Sequence, residues 1–375
     1  WGLDRSGRTV KRVLANRSLV SRAPRFVVKV GSSSLTKSDG RLNHERLATL
    51  SDTLATAYGR GQRFALVSSG AVAAGVGSLG IGSRPTDMSG MQAAAMVGQT
   101  KLMSSYGERF GEHGIGIGQV LLTADDVMRR NHYRNARAAL DKLLGMGIVP
   151  IVNENDAVAT TELRLGDNDR LAAIIAHLIG ADFLLLLTDV DGRYSGPPSE
   201  PGSRPIPFVG NIDELKNYSI TGRGSAFGTG GMSTKVTAAR MATAFGVPTI
   251  ITSAGNLGPA LEGEPVGTWF AATGSKSNAR ALWIAHAAQS SGQVRLDEGA
   301  VAALESGGNS LLAVGITDVV GTFDPGDAID IIGPGGTLVA RGLAGWDSES
   351  LRANAGVAGA GRPAVHVDDL VLVRR

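Results

Sequence analysis

Short apolar runs alternate with longer amphipathic stretches from residue 25 to about residue 252. The apolar runs are rich in Val, Ile and Leu. Such an alternation predicts a mainly parallel sheet wrapped by helices, which is a layered α/β domain. The predicted strands are 26–30, 63–67, 115–122, 148–152, 183–188 and 248–252, and the predicted helices are 43–58, 87–110, 131–144, 168–178 and 233–245.

The pattern changes near residue 281, after a small, polar stretch that is typical of a linker. Beyond it, short β-like runs are separated by Gly, Pro and Asp, which predicts a small β-barrel. Its predicted strands are 293–296, 311–316, 328–332, 337–341 and 370–373. We therefore expect a basic, disordered extension over 1–24, an α/β domain over 25–273, a linker over 274–281 and a second domain over 282–375.

Composition and charge narrow the classes of function. The chain has no cysteine, which excludes a disulfide framework, a thiolate zinc site and a cysteine nucleophile, and fits the cytoplasm. No apolar run approaches the ~18 residues that a membrane helix needs. Residues 1–23 carry a net charge of +5 without an apolar core, which excludes a secretory signal and leaves a transit peptide as the alternative to disorder. Residues 292–375 carry a net charge of −5.

A lysine stands inside the first apolar strand, followed by a Gly/Ser turn at Gly31 and Ser32. A buried lysine is costly unless it is paired. Backbone N–H groups of such a turn beside a fixed ammonium form an anion site. Lys29 is therefore either an edge-strand lysine or part of a phosphate site, and the turn favours the second.

Ser69 follows the second strand, where it either caps a helix or positions a substrate. The stretch after it contains Gly75, Gly77 and Gly80 in the spacing of a dinucleotide fingerprint. No strand immediately precedes Gly75, so the βα turn that gives the motif its meaning is missing. These glycines instead predict a helix with small packing positions.

Two clusters of acidic and amide residues, 153–156 and 167–169, lie at a strand end and a helix start. Asp and Asn are common turn formers, but two such clusters so close in sequence favour a site for a metal or a zwitterion. An Asp facing the α-ammonium and an Asn facing the α-carboxylate would orient an amino acid.

A Gly- and Thr-rich loop, 228–235, opens the helix that ends near residue 245. Its amides, hydroxyls and lysine suit the β- and γ-phosphates of a nucleotide, and a helix N-terminus favours negative charge. The Walker A order and the protein-kinase signatures are both absent from the chain.

Taken together, these segments resemble the glutamate 5-kinase family. The resemblance covers residue 26 to the end of the chain, whose tail is similar to a PUA domain. It implies the amino-acid kinase fold with a C-terminal PUA-like β-barrel. The matching motifs are Val-Lys-Val-Gly-Ser, Ser-Ser-Gly-Ala-Val-Ala-Ala-Gly, Gly-Gln-Val-Leu-Leu-Thr, Val-Asn-Glu-Asn-Asp-Ala-Val-Ala, Gly-Asp-Asn-Asp-Arg-Leu and Gly-Thr-Gly-Gly-Met-Ser-Thr-Lys, with Leu-Asp-Glu-Gly-Ala and Ala-Val-His-Val-Asp-Asp-Leu in the tail.

The resemblance implies ATP-dependent phosphorylation of the side-chain carboxylate of L-glutamate, the first step of proline biosynthesis, with Mg²⁺ bound mainly through the phosphates of ATP. Lys29 and Lys235 would contact the transferring phosphate. The residues implied in ATP binding are Lys29, Gly31, Ser32, Thr188, Asp189, Thr229, Gly230, Gly231, Met232, Ser233, Thr234 and Lys235.

For the acceptor, the resemblance implies that Ser69, Asp156 and Asn168 bind glutamate. Asp167 and Asp169 flank that asparagine and would organise the lysines or Mg²⁺, and the sequence does not divide these roles between them. The resemblance also implies feedback inhibition by L-proline, a homodimer or homotetramer, and glutamyl phosphate reductase as the enzyme of the next step.

The alternative functions are other kinases of the same fold and, from a different class of protein, RNA binding. N-acetylglutamate kinase and aspartokinase usually carry a Gly-Gly pair where this chain has Gly31-Ser32, and uridylate kinase is a third competitor. A PUA-like domain also suggests an RNA-binding protein. A surface that binds phosphates needs positive charge, whereas this tail is acidic, so we expect neither a nucleic-acid nor a membrane partner.

Overall fold

A computed structural model of the chain describes residues 17–37, 41–123, 126, 130–158, 168–217, 231–273, 290–359 and 361–372. The chain divides into two compact units, one within 1–125 and 135–276 and the other within 126–134 and 277–375. The predicted linker, 274–281, lies outside the described residues. Each unit has its own sheet and its own hydrophobic core.

An eight-stranded, mainly parallel sheet forms the centre of the first unit, in the order β3-β4-β2-β1-β5-β7-β8-β6. All six strands predicted for this part of the chain are present. The short strands β6 and β8 are additions that the pattern is too brief to predict. The bounds are β1 Arg25–Val30, β2 Arg63–Ser68, β3 Ile117–Leu122, β4 Val149–Glu154, β5 Phe183–Thr188, β6 Phe208–Val209, β7 Thr249–Ser253 and β8 Thr268–Phe270.

Helices pack against this sheet, and the longest follows the predicted amphipathic stretch after residue 87. Asp87 caps it by accepting from the Gly90 N–H at 2.7 Å. The bounds are α1 Ser32–Leu35, α2 His44–Gly59, α3 Ala71–Leu79, α4 Met88–Glu112, α5 Arg130–Gly145, α6 Asn168–Leu178, α7 Met232–Ala244 and α8 Leu257–Leu261.

The central strands are buried along nearly their whole length, which explains their continuous runs of Val, Ile and Leu. At the start of β1, the ring of Phe26 stacks on Phe64 of β2 and Phe183 of β5, with centroids 5.3 and 5.0 Å away. Because β1, β2, β4 and β5 run parallel, their carboxyl ends meet at the opposite edge of the sheet. That edge is where polar residues follow the strands.

The segment from Arg17 to Pro24 corrects the prediction of a disordered extension over 1–24. Val20 and Ala23 belong to the core, and Arg17 is buried. The Arg17 guanidinium donates to the carbonyls of Glu264, Val266 and Gly267. Positive charge and the lack of an apolar core suggested a solvated leader, whereas three backbone carbonyls hold Arg17 inside the fold. Residues 1–16 lie outside the described part of the chain.

The second unit contains a five-stranded sheet in the order β10-β9-β11-β12-β13. Its core includes Val294, Ile331 and Trp346. The bounds are β9 Gly292–Leu296, β10 Ile316–Gly321, β11 Ala328–Ile332, β12 Leu338–Leu343 and β13 Leu370–Leu372, with the helices α9 Glu298–Glu305 and α10 Ser348–Asn354.

One predicted strand of this unit, 311–316, is wrong. Residues 313–315 form a 3-10 turn, and the strand begins only at Ile316. Gly315 approaches α9 so closely that a Cβ there would lie 2.4 Å from the Cβ of Ala300. The apolar residues before Ile316 therefore pack in a turn against a helix, which sequence periodicity does not distinguish from a short strand.

Across the described residues, no helix combines the length and the apolar character that crossing a membrane requires.

Candidate active site

Polar side chains from distant parts of the sequence meet at the carboxyl edge of the larger sheet. Lys29 lies near the end of β1, and Ser69 directly follows β2. Helix α6 begins beside them with Asn168 and Asp169, and the first turns of α7 bring Lys235. Open α/β sheets bind their ligands at this edge.

Asp169 is the centre of the cluster. Its side chain is fully buried, and its carboxylate lies 2.6 Å from Lys29 Nζ and 3.2 Å from Lys235 Nζ. The hydroxyl of Thr234 donates to the same carboxylate at 3.0 Å. Both lysines are buried as well, so a single acidic side chain holds two ammonium groups that are 206 residues apart in sequence.

The electrostatics of this triad favour an anionic ligand. Burial alone raises the pKa of the Asp169 carboxyl, but the positive charges of Lys29 and Lys235 outweigh burial and hold that pKa below its ordinary value. Asp169 is therefore ionised at neutral pH, and two ammonium groups face one carboxylate. The surplus positive charge, in a site shielded from water, is suited to a phosphate group.

A chain of hydrogen-bonded side chains lies next to the triad. The Asn168 amide donates to Ser69 Oγ and to Asn153 Oδ1, both at 2.9 Å. The backbone N–H of Ser69 donates to the Val30 carbonyl at 3.1 Å, which fixes Ser69 to the end of β1. Ser69 and Asn168, both implied in binding the acceptor, therefore lie directly beside the lysine pair.

Three residues of this region were missed by the sequence analysis as site residues. Asn153 belongs to a cluster noted there, and its amide donates to Gln99 Oε1 of α4 at 3.0 Å. Tyr106, seven residues after Gln99 on the same buried face of α4, has its hydroxyl 3.0 Å from Ser68 Oγ, and burial raises the pKa of its phenol. The sequence feature that could have identified Gln99 is a polar side chain on the apolar face of α4, where its helix neighbours Ala95, Gly98 and Leu102 are buried.

The residues implied in nucleotide binding occupy three further parts of the same edge. Gly31 joins β1 to α1 as the N-cap of that helix, and Ser32 is its first residue. Thr188 ends β5, and its hydroxyl donates to Asp189 at 2.9 Å. Gly231 is the N-cap of α7 and, as a glycine, has no side chain to cap the first N–H groups of that helix, which are a favourable place for an anion. Met232, Ser233 and Thr234 form its first turn.

Some implied residues are not brought into this cluster by the described structure. Asp156 is half-buried in the turn after β4, on the same edge of the sheet. Asp167, Thr229 and Gly230 lie outside the described residues. Among the residues that the structure describes, no group of three or more acidic or histidine side chains could hold a metal ion.

Comparison with known proteins identifies the family. The model of the amino acid kinase family matches residues 24–253, and the PUA domain model matches residues 292–359. Glutamate 5-kinase from Bifidobacterium longum (strain DJO10A) is 48% identical to this chain, over 95% of this chain and 98% of its own length. The chain belongs to the glutamate 5-kinase family. The family member from Frankia casuarinae is 50% identical, over 95% of this chain and 99% of its own length.

The expected amino-acid kinase fold with a C-terminal PUA domain is thereby confirmed. Solved structures with a similar fold include an isopentenyl phosphate kinase, 21% identical with a TM-score of 0.47, which matches 66% of this chain and 99% of that one. A carbamate kinase from Giardia lamblia is 17% identical with a TM-score of 0.49, matching 67% and 99%. The family assignment rests on the sequence relatives, which extend through both domains.

Proposed function

We propose that this protein transfers the γ-phosphoryl group of ATP to the side-chain carboxylate of L-glutamate, forming L-glutamyl 5-phosphate in the first step of proline biosynthesis. The observation that carries the proposal is the pair of buried ammonium groups on Asp169, adjacent to the Ser69–Asn168 pair. One part of the site is built for a phosphate and the part next to it for a polar acceptor.

The proposed reaction brings two anions together. At 4 Å, like unit charges repel by about 4 kcal/mol at an effective dielectric constant near 20. Lys29 and Lys235 offset this repulsion because they are held in place before the substrates arrive. A carboxylate is already ionised at pH 7, so its oxygen attacks phosphorus without a general base while the bond from phosphorus to the departing ADP oxygen breaks. Catalysis is then positioning plus neutralisation of charge.

The proposed roles of Lys29, Lys235, Asp169, Ser69 and Asn168 are supported by the positions of their side chains, whereas those of Asp156, Asp167, Thr229 and Gly230 rest on the family resemblance. Lys29 and Lys235 contact the migrating phosphoryl group, and Asp169 holds both lysines without touching it. ATP is bound by the turn after β1, by Thr188 and Asp189, and by the loop and first turn of α7, including Thr229 and Gly230. Ser69, Asp156 and Asn168 bind glutamate, and Asp167 supports the site from the position before Asn168.

Mg²⁺ fits this site as a companion of ATP. As the family resemblance implies, the phosphates of ATP would supply most of its ligands. Bound in this way, the ion would neutralise part of the negative charge of the ATP phosphates. The chain itself contributes the fixed lysine pair, whose positive charges lie next to the γ-phosphate in the proposed complex.

We further propose that the protein acts in the cytoplasm as a homodimer or homotetramer. L-proline is its feedback inhibitor, since it carries a positively charged α-nitrogen and an α-carboxylate, as glutamate does, and would compete for the residues that bind them. The acyl phosphate product passes to glutamyl phosphate reductase, the enzyme of the next step.

The acceptor is tested by supplying ATP, Mg²⁺ and hydroxylamine with a panel of acceptors and measuring acyl hydroxamate. Glutamate should react, whereas aspartate, N-acetylglutamate and UMP should not. A protein that phosphorylates N-acetylglutamate or UMP in preference to glutamate would overturn the proposal.

The lysine pair is tested in the same assay. Lys29→Ala and Lys235→Ala should each lower kcat by roughly 10²-fold or more, because each removes one fixed positive charge from the site of transfer. Lys142→Ala, at an exposed position on α5, is the matched control and should behave as wild type. Near-normal turnover in both site variants would contradict the assigned role.

A further inference from the structure

Three amide side chains, those of Gln99, Asn153 and Asn168, form a hydrogen-bonded chain from α4 to the candidate acceptor site. The direction of this chain is set by a backbone group. The N–H of Glu154 donates to Asn153 Oδ1 at 2.9 Å, and a backbone N–H can only donate. Asn153 therefore has its oxygen toward Glu154 and its NH₂ group toward Gln99.

The same constraint fixes Asn168. Since Asn153 Oδ1 is an acceptor, Asn168 must present Nδ2 to it, and the second hydrogen of that NH₂ goes to Ser69 Oγ. Both hydrogens of Asn168 are then used within the protein. Its carbonyl oxygen, and not its NH₂ group, is what remains for a ligand.

Two buried atoms of this chain have no hydrogen-bond partner among the described residues. They are Asn168 Oδ1, an acceptor, and Gln99 Nε2, a donor. An unsatisfied buried polar atom costs free energy, so its retention calls for an explanation such as a ligand that completes it. Ser69 Oγ accepts from Asn168, which leaves its own hydrogen to donate. A donor and an acceptor therefore stand side by side.

We propose that Gln99 is a positioning residue that, through Asn153, holds Asn168 with its carbonyl oxygen toward the α-ammonium group of the bound amino acid, while the Ser69 hydroxyl donates to the α-carboxylate. This inference rests on the proposed function. It reverses the expectation that an asparagine faces the carboxylate, because the hydrogen-bond directions leave Asn168 no donor to offer.

Gln99 acts by giving the Asn153 NH₂ group its acceptor. Asn153 is buried, and its Nδ2 donates a hydrogen bond to Gln99 Oε1. With no acceptor there, Asn153 would keep a buried, unsatisfied NH₂ group and would turn away from its place between Glu154 and Asn168. Asn168 would then lose the partner that fixes its amide, although Gln99 itself touches no substrate.

The test compares glutamate with glutarate, the same diacid without the ammonium group, in wild type and Gln99→Met. Methionine preserves size but offers no strong acceptor. We expect the KM for glutamate to rise about tenfold in the variant, corresponding to one lost charge-assisted hydrogen bond. The KM values for glutarate and ATP should change by less than about twofold, so the preference for glutamate over glutarate falls about tenfold.

Rescue and a matched control separate positioning from a general loss of structure. Gln99→Glu keeps an oxygen toward Asn153 and should restore most of the preference. Gln62 is a second buried glutamine in the first unit, whose NH₂ group donates to the carbonyls of Val20 and Ala23 at the far end of β2. Gln62→Met should leave the preference unchanged. Equal losses for glutamate and glutarate in Gln99→Met would overturn the proposal.

If Gln99→Met does not fold, the orientation of Asn168 can be tested in the wild-type protein by comparing two glutamate analogues as substrates. An acceptor oxygen opposite the α-position should favour 2-hydroxyglutarate, which can donate there, over 2-oxoglutarate, which cannot. A preference for 2-oxoglutarate would overturn the inference while leaving glutamate phosphorylation in place. Failure of wild type to phosphorylate glutamate at all would instead overturn the proposed function together with the inference.

Discussion

Lys29 shows how far a single residue can be interpreted from sequence. A lysine in an apolar strand needs a partner, and the Gly/Ser turn after it pointed to an anion site. The partner, Asp169, lies 140 residues away and was one of two aspartates that flank Asn168. Which carboxylate faces the lysines depends on the rotation of α6 about its axis, and no local pattern determines that rotation.

Amide direction is a second feature that sequence does not contain. The cluster around Asn153 and the cluster around Asn168 both pointed to a polar site, and the structure joins them with a hydrogen bond of 2.9 Å. Which end of each amide faces a ligand follows from one backbone N–H on β4. That information exists only once the strand and the helix are placed beside each other.

His177 gives a prediction about pH. Its ring stacks on Phe245 with centroids 4.8 Å apart, and burial, with a smaller effect from the positive charge of Arg137, lowers the pKa of His177 from 6.5 to about 4. Below pH 6.5 the unfolded chain binds a proton that the folded chain does not bind until about pH 4. The free energy of unfolding therefore decreases as the pH falls through this window, by about 2 kcal/mol at about pH 5.

We expect His177→Leu to remove this contribution. In urea unfolding at about pH 7.5 and about pH 5, the variant should lose about 2 kcal/mol less stability between the two pH values than wild type. Comparing losses rather than absolute stabilities cancels the other titrating groups and any packing change. Equal losses in the two proteins would show that His177 is protonated as readily in the folded state as in the unfolded one.

At the scale of elements, the strands were well predicted because buried parallel strands have continuous apolar sequences. For the close packing of α3 against α4, the sequence predicted the small residues on α3 but not their partner on α4. The glycines after Ser69 were interpreted as helix packing positions, and a Cβ on Gly75 would indeed lie 1.8 Å from the Ala94 carbonyl oxygen. The matching glycine, Gly98, went unnoticed because a lone glycine in a long helix does not indicate which helix it faces.

This crossing yields a second prediction. A Cβ on Gly98 would lie 1.7 Å from the Ala71 carbonyl oxygen and 2.4 Å from the Gly75 nitrogen, both of them backbone atoms. Gly98→Ala should therefore push the two helices apart and lower the free energy of unfolding by about 3 kcal/mol. Because α3 follows Ser69 and α4 carries Gln99, the KM for glutamate should rise as well.

Gly111→Ala is the matched control on the same helix. A Cβ there meets nothing within 4 Å, and alanine is a better helix former than glycine by about 1 kcal/mol. This variant should be as stable as wild type or slightly more stable in chemical unfolding, with an unchanged KM. If both alanine variants had the same stability, the close approach of α3 and α4 would be contradicted.

At the scale of the whole molecule, the change in pattern separates an α/β part from a β-rich part, whereas the disorder predicted for the N-terminal segment rested on its positive charge and its lack of an apolar core. Arg17 shows why the second step failed. A guanidinium can be buried when several carbonyls receive its hydrogens, and those carbonyls belong to a loop about 250 residues away. Net charge describes how a segment interacts with solvent, and it does not show whether a loop is shaped to receive it.

The two cores provide the last prediction. Ligands that bind only the folded first unit raise the stability of that unit by mass action, by about 2.7 kcal/mol at a hundred times their Kd, which raises the Tm of a unit of this size by roughly 5–11 °C. Calorimetry with glutamate and a non-hydrolysable ATP analogue should therefore move one unfolding transition. Trp346 is packed in the core of the second unit. In a variant whose remaining tryptophans are replaced by Phe, its fluorescence therefore reports the unfolding transition of the second unit. That second transition should stay in place, and Asn168→Ala, which weakens glutamate binding, should reduce the shift of the first.

A ligand-dependent change that moves Trp346 fluorescence and the first transition together would mean that both units unfold as one cooperative body, and that the acidic tail contributes directly to the stability of the kinase unit.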